Sequence, residues 1–233
     1  MLGFLLVFAL VTVFFSDDSS SARGDGTQSG APYRASVPLN GVTPCPALPT
    51  ADPATRDGMP DDVGWANYRG IFLPSSATAG PAATDGELAH CFARTKAGAV
   101  MAAVQISARY FVAPDWRAVA EHQFVPGADR DAAVRVRAED EATSSPRTAD
   151  PDPDAVRQVA GYRIVSFTPD AAMVWVAMDI RQSGSPTGTL YSLTWVDGDW
   201  RVNPQPNGNA STADERLTSI VGYTPWGVGA VGS

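Results

Sequence analysis

Cysteine, histidine and lysine are almost missing from this 233-residue chain: Cys45 and Cys91, His90 and His122, and Lys96 are the whole supply. Each shortage closes off some chemistry. Structural zinc needs closely paired Cys/His ligands, and positions 45, 90, 91 and 122 do not offer that spacing, so no metal is expected. Basic residues number 17, nearly all arginine and placed singly, and the net charge is −8. Such a chain repels phosphate, which argues against nucleic acid as a partner. A G-x-S-x-G nucleophile elbow, a phosphate loop and a dinucleotide fingerprint are absent too, so no cofactor is expected. The arginine bias, with abundant Ala, Gly, Asp, Val and Pro, points to a high-GC genome and says nothing about mechanism.

Charge is also absent from the first fifteen residues, "MLGFLLVFALVTVFF", which run directly into "SDDSSSARGDG". A spanning helix wants about 20 apolar residues, and a signal peptide wants a basic flank before its apolar stretch. The segment fits neither template fully. An anchor whose start lies upstream of Met1 is preferred over a cleaved signal peptide, because Ser20-Ser21-Ala22 is only a passable cleavage site. Both readings put the remainder outside the cytoplasm, and the acidic flank agrees. The expected localisation is therefore the cell membrane, single-pass, with the domain on the extracytoplasmic side. Secretion after cleavage is the alternative.

Residues 16–62 hold Pro32, Pro38, Pro44, Pro46, Pro49, Pro53 and Pro60 between Ser, Gly and Thr. This composition reads as a disordered, semi-extended tether. The "RGD" at Arg23–Asp25 is read as chance in a low-complexity stretch. Cys45 sits in "TPCPALP", a proline-stiffened piece with no reason of its own to bury a thiol.

The folded part is expected over 63–210. Trp65, Tyr68, Ile71, Phe72 and Leu73 form its first, irregular strand or edge. Thr95 is a candidate N-cap for a central helix over 96–112, rich in small and apolar residues all round. Asp115 caps a short second helix over Trp116–Phe124, and a third follows Pro126-Gly127. After Asp154 the period changes to 2, with Val174, Val176, Met178 and Ile180 on one strand face. Asp197-Gly198 is a type I′ hairpin signal. Residues 211–233 are expected to give a short capped helix, "ADERLTSIV", and a Gly-rich tail. The fold class expected is α+β, with helices followed by a curved four-stranded antiparallel sheet, preceded by one membrane anchor and a tether.

"HCFART" places His90 beside Cys91 and invites a catalytic reading. Neighbours on a strand point to opposite faces, and on a helix lie about 100° apart, so His90 is badly placed to deprotonate Cys91. Only His122 would serve, and no cysteine-hydrolase signature surrounds either residue. Asp179 is the sole named candidate for an inward acid. No catalytic residue is assigned, and the protein is expected not to be an enzyme. The two cysteines, in an apparently exported chain, are instead expected to form a Cys45–Cys91 disulfide.

The run "LPSSATAGPAATDGELAHCFARTKAGAVMAAV", with Trp65 before it and "WVDGDWRV" after it, resembles an actinobacterial domain of unknown function. That domain is found in membrane-anchored proteins, some of them on integrative conjugative elements. The resemblance covers about residues 45–205, and the family pattern has proline at Lys96, a first helical position that lysine also tolerates. More distantly, the layout resembles the nuclear-transport-factor-2-like cone of conjugation and type IV secretion assembly factors, an analogy of fold alone. The anchor, the long tether and the lack of a catalytic constellation point to a non-enzymatic scaffold or assembly component, by the resemblance one of a conjugative transfer apparatus, working through other envelope or transfer-machinery proteins. The alternative is an extracytoplasmic small-molecule-binding module, with Trp175, Tyr191 and Trp195 as candidate pocket-lining residues.

Overall fold

The computed structural model describes residues 42–55, 58–143, 157–180 and 185–228. The apolar segment 1–15, the Ser20–Ala22 site and Arg23–Asp25 lie outside the described residues. Among the described residues no helix is long and apolar enough to cross a membrane.

Side-chain caps set the helix starts. Thr95 opens α1, Lys96–Val112, by accepting a hydrogen bond from Gly98 N at 3.1 Å. Thirteen of its 17 residues are buried, which makes it the central helix. Asp115 opens α2, Trp116–Gln123, by accepting from Ala118 N. The third helix, α3, runs Ala128–Thr143 and buries Ala132 and Ala133. Small residues along α1 let other backbone come close, and Gly98 marks the tightest approach. A Cβ there would stand 1.9 Å from the Ala93 carbonyl oxygen. Alanine in a helix normally stabilises by about 1 kcal/mol over glycine. Here the clash reverses the sign, and Gly98→Ala is expected to destabilise by roughly 1 to 3 kcal/mol, as overpacking does. Urea unfolding of the oxidised protein measures it; a gain in stability would show that the Ala93 backbone gives way freely.

Among the described residues there are ten strands: β1 (Gly64–Tyr68), β2 (Ile71–Ser75), β3 (Ala83–Asp85), β4 (Leu88–His90), β5 (Arg157–Thr168), β6 (Ala171–Ile180), β7 (Thr187–Val196), β8 (Asp199–Val202), β9 (Ala213–Arg216) and β10 (Thr224–Pro225). The expected antiparallel meander is present as β5 to β8, and Asp197-Gly198 turns the last hairpin with both φ angles positive, at 52° and 85°. The sheet is larger than that, however. It has eight strands and is mixed, because β2 joins β5 in parallel through Ile71↔Arg157 and Phe72↔Gln158. Strands β1 to β4 precede the helices, and no local pattern announces a pairing across that distance.

The C-terminal segment also departs from expectation. Ala213–Arg216, with Ala, Glu and Arg all good helix formers, is a strand paired with the first half of β7. The four-residue β8 covers only the far half of β7, leaving Thr187–Leu190 with unpaired backbone groups. That edge outweighs a weak local preference. Beyond β9 the chain returns to β5 as β10, and Trp226 packs against Trp65 and Tyr162 with ring centroids 4.9 and 5.6 Å away. Trp226 is thus part of the core.

Two register shifts in β5 help to curl the sheet, and α1 lies in its concave face, touching β2, β5, β6, β7 and β8. Val174 and Val176 are buried beneath α1, and Met178 packs beside them. The Ile180 side chain lies outside the described residues.

Candidate functional site

Alternation along β6 and β7 decides which side chains meet α1. On β6 the even positions face the helix, and on β7 Thr187, Thr189 and Tyr191 do. Because α1 presents the small side chains of Val104, Ser107 and Ala108 there, with Tyr110 and Phe111 further along the helix, a cleft of about 430 Å³ remains between helix and sheet. That volume lies in the range of small-molecule sites. Ile71, Val104, Ala108, Val176 and Met178 supply apolar wall, and Ser107, Thr187, Thr189 and Tyr191 supply hydroxyls. Arg157, Asn209, Ser211 and Asp214 also line it, with the Arg157 guanidinium 5.0 Å from the Phe111 ring centre and Ser211 Oγ donating to Asp214 Oδ2 at 2.7 Å. Burial pushes the Tyr191 phenol pKa up, against the pull of its contacts with Ser107 and Thr189.

The aromatic residues singled out from sequence fall in three different places. Tyr191 lines the cleft. Trp195 is on the same strand face but beyond it, edge-on to its cross-strand partner Trp200 at 5.4 Å and under the Arg94 guanidinium. Trp175 occupies the opposite face of β6, opposite Arg163 on β5. Asp179 shares that face with Trp175 and does not line the cleft. His122 lies on α2. The cleft's other contributors, above all Asp214 and Arg157, carried no signal in sequence because β9 and the β2–β5 pairing bring them there.

A second cluster forms where residues 42–55 meet the domain. Cys45 and Cys91 are joined by a disulfide, S–S 2.06 Å. The segment is held on either side of it: Thr43 N and Oγ1 donate to Asp85 at 2.7 and 2.8 Å, and Asp52 accepts from Lys96 N at 2.6 Å. Residues 42–55 therefore form a strap against the domain: the end of the expected tether is pinned there by the disulfide and by these hydrogen bonds. Cys91 has φ +66°, a left-handed conformation that breaks the alternation of β4. This overturns the expectation that His90 and Cys91 diverge. His90 Nδ1 is 3.1 Å from Cys91 Sγ and 3.9 Å from Cys45 Sγ, while Nε2 is 2.8 Å from Asp85 Oδ2. The three ligand atoms of Cys45, His90 and Cys91 lie within 4.8 Å of one another. With the sulfurs bonded to each other, they offer no thiolate to a metal.

Asp199 holds the same joint from the far end of the chain. Its carboxylate accepts from Cys91 N at 2.7 Å, Phe92 N at 2.9 Å and Trp200 N at 2.9 Å. Burial pushes its pKa up, and these three amides pull the other way. In sequence Asp199 belongs to a turn signal, "VDGD", and nothing there indicates a partner 108 positions away.

No curated protein and no solved structure matches the chain. A family model does, over residues 27–225. That span takes in the strap, the disulfide, the three helices and all ten strands, so the architecture just described is the family's unit: the chain belongs to the domain of unknown function DUF8175.

Proposed function

We propose that this protein is a non-enzymatic, extracytoplasmic binding module of the cell envelope that takes a small amphipathic molecule into the cleft between α1 and the sheet. The cleft carries this reading: apolar walls beside convergent hydroxyls, with an arginine and an aspartate in its lining. A helix lying in a curled sheet with space between them is also the arrangement on which the nuclear-transport-factor-2-like cone analogy rests. The disulfide supports an oxidising compartment, and the apolar segment 1–15 supports tethering to the membrane. The role of scaffold or assembly component, possible in a conjugative transfer apparatus, rests on that anchor and on the family resemblance; the cleft favours ligand binding over it.

The test uses 1-anilinonaphthalene-8-sulfonate, an amphipathic anion, as probe. Saturable binding with fluorescence enhancement is expected, and Ala108→Trp, which fills the cleft from α1, is expected to weaken it by roughly 10-fold or more while the protein keeps its circular dichroism. Binding that survives Ala108→Trp would place the probe elsewhere and remove the reading.

A further inference from the structure

His90 stands between a carboxylate and a disulfide, an arrangement that a purely structural bridge does not need. Asp85 accepts from Thr43 N and Oγ1 as well as facing His90 Nε2, and the Thr43 bonds hold its carboxyl below the usual carboxylate range. An ionised carboxylate only accepts, so the ring proton belongs on Nε2. The Nδ1 lone pair then faces the two sulfurs.

The sulfurs themselves are unequal. Cys45 is exposed, whereas Cys91 is 1% exposed. An incoming thiol reaches the first, and the second becomes the leaving group. Nδ1 stands on the Cys91 side of the bridge, 3.1 Å from Cys91 Sγ against 3.9 Å from Cys45 Sγ. We propose that Cys45–Cys91 is an exchange-active disulfide for a dithiol partner, with His90 as the proton donor to the leaving Cys91 and Asp85 as the residue that positions it.

In the first step the incoming thiol loses its proton to solvent and its sulfur attacks Cys45 Sγ in line with the sulfur–sulfur bond, from the side away from Cys91. A sulfur–sulfur bond forms between them, the Cys45–Cys91 bond breaks, and the electron pair leaves on Cys91. His90, protonated on Nδ1 from solvent, gives that proton to Cys91 Sγ, 3.1 Å away. In the second step the partner's other thiol attacks its own sulfur in the mixed disulfide, giving the partner's disulfide and the Cys45 thiol. The protein gains two electrons and two protons, which the dithiol loses. Asp199, the other acid facing this joint, is anchored on Cys91 N and disfavours a lasting Cys91 thiolate, so proton transfer from His90 completes the step. Exchange releases the strap's covalent tie to the domain.

The test follows reduction of the oxidised full chain, in detergent, by dithiothreitol, with alkylation quench and mass spectrometry. His90→Ala is expected to slow reduction roughly 10-fold or more. Asp85→Asn is expected to slow it at an unchanged melting temperature, and Asp85→Glu to recover the rate. In the wild-type chain, glutathione is expected to be trapped on Cys45, and the folded chain to exchange faster than the same chain in urea. These last two readings stand even if His90→Ala fails to fold. A wild-type rate in His90→Ala or Asp85→Asn, glutathione on Cys91, or slower exchange in the folded chain than in urea would overturn the proposal.

Discussion

Replacing both cysteines, as Cys45→Ser with Cys91→Ala, is expected to lower stability by about 4 kcal/mol. The bridge spans 46 positions, and closing a loop of that length removes about this much chain entropy from the unfolded state. At 2 to 4 °C per kcal/mol for a domain of this size, the melting temperature falls by roughly 8 to 16 °C. Alanine is chosen at position 91 because that side chain is buried, and a serine hydroxyl there would add a desolvation cost of its own. Two features temper the loss. Thr43–Asp85 and Asp52–Lys96 hydrogen bonds still hold the strap, but both are exposed and compete with water. Thermal unfolding of the oxidised wild type and of the variant decides it: a drop below 1 kcal/mol would mean that the unfolded chain is already confined without the bridge.

Asp199→Ala is expected to cost a similar amount, roughly 3 to 5 kcal/mol, by a different mechanism. It strips one acceptor site from three amides at once, and all three belong to buried residues, Cys91, Phe92 and Trp200. Orphaned buried donors are penalised by their full desolvation. Asp199→Asn keeps one acceptor oxygen and is expected to lose less. It should also change the pH dependence. Burial raises the Asp199 pKa above its unfolded value, so the stability tied to its titration is fully present below the unfolded value and fades as pH rises through the folded one. Asparagine removes that slope. Equilibrium unfolding at several pH values measures both effects; an Asp199→Ala variant within 1 kcal/mol of wild type would show that water replaces the carboxylate.

What could be read locally was read well. Thr95 and Asp115 cap helices because a hydroxyl or carboxylate one step before an apolar run meets free amides wherever that run folds. Asp197-Gly198 turns a hairpin because few residues tolerate positive φ twice. The Cys45–Cys91 pairing followed from there being two cysteines in a chain with an export-like start. The errors share one cause. "ADER" carries helical propensity worth tenths of a kcal/mol per residue, and the unpaired edge of β7 outweighs it. The alternation of a regular strand would turn His90 away from Cys91, and the left-handed Cys91 interrupts it.

The candidate sites were the least legible part. Tyr191 could be named in advance because an aromatic on an alternating strand faces one side or the other. Which side, and beside what, depended on α1 being narrow at Ser107 and Ala108 and on β9 carrying Asp214 to the rim. Trp175 and Trp195 have equally suggestive sequence surroundings and lie elsewhere, since one residue of phase separates the two faces of β6 and a further turn of β7 separates cleft from core.

By itself, then, the amino-acid sequence determined the helix caps, the meander and its last turn, the pairing of the cysteines and the acidic, arginine-biased surface. Interactions between neighbours in the chain, or between the only two residues of a kind, specify these. Tertiary structure alone decided the parallel β2–β5 junction, the conversion of the tail into strands, the cleft, and the meeting of Asp85, His90, both sulfurs and Asp199. Each of those joins groups tens of positions apart, whose encounter is set by which backbone edges and apolar faces remain unsatisfied once the local elements have formed.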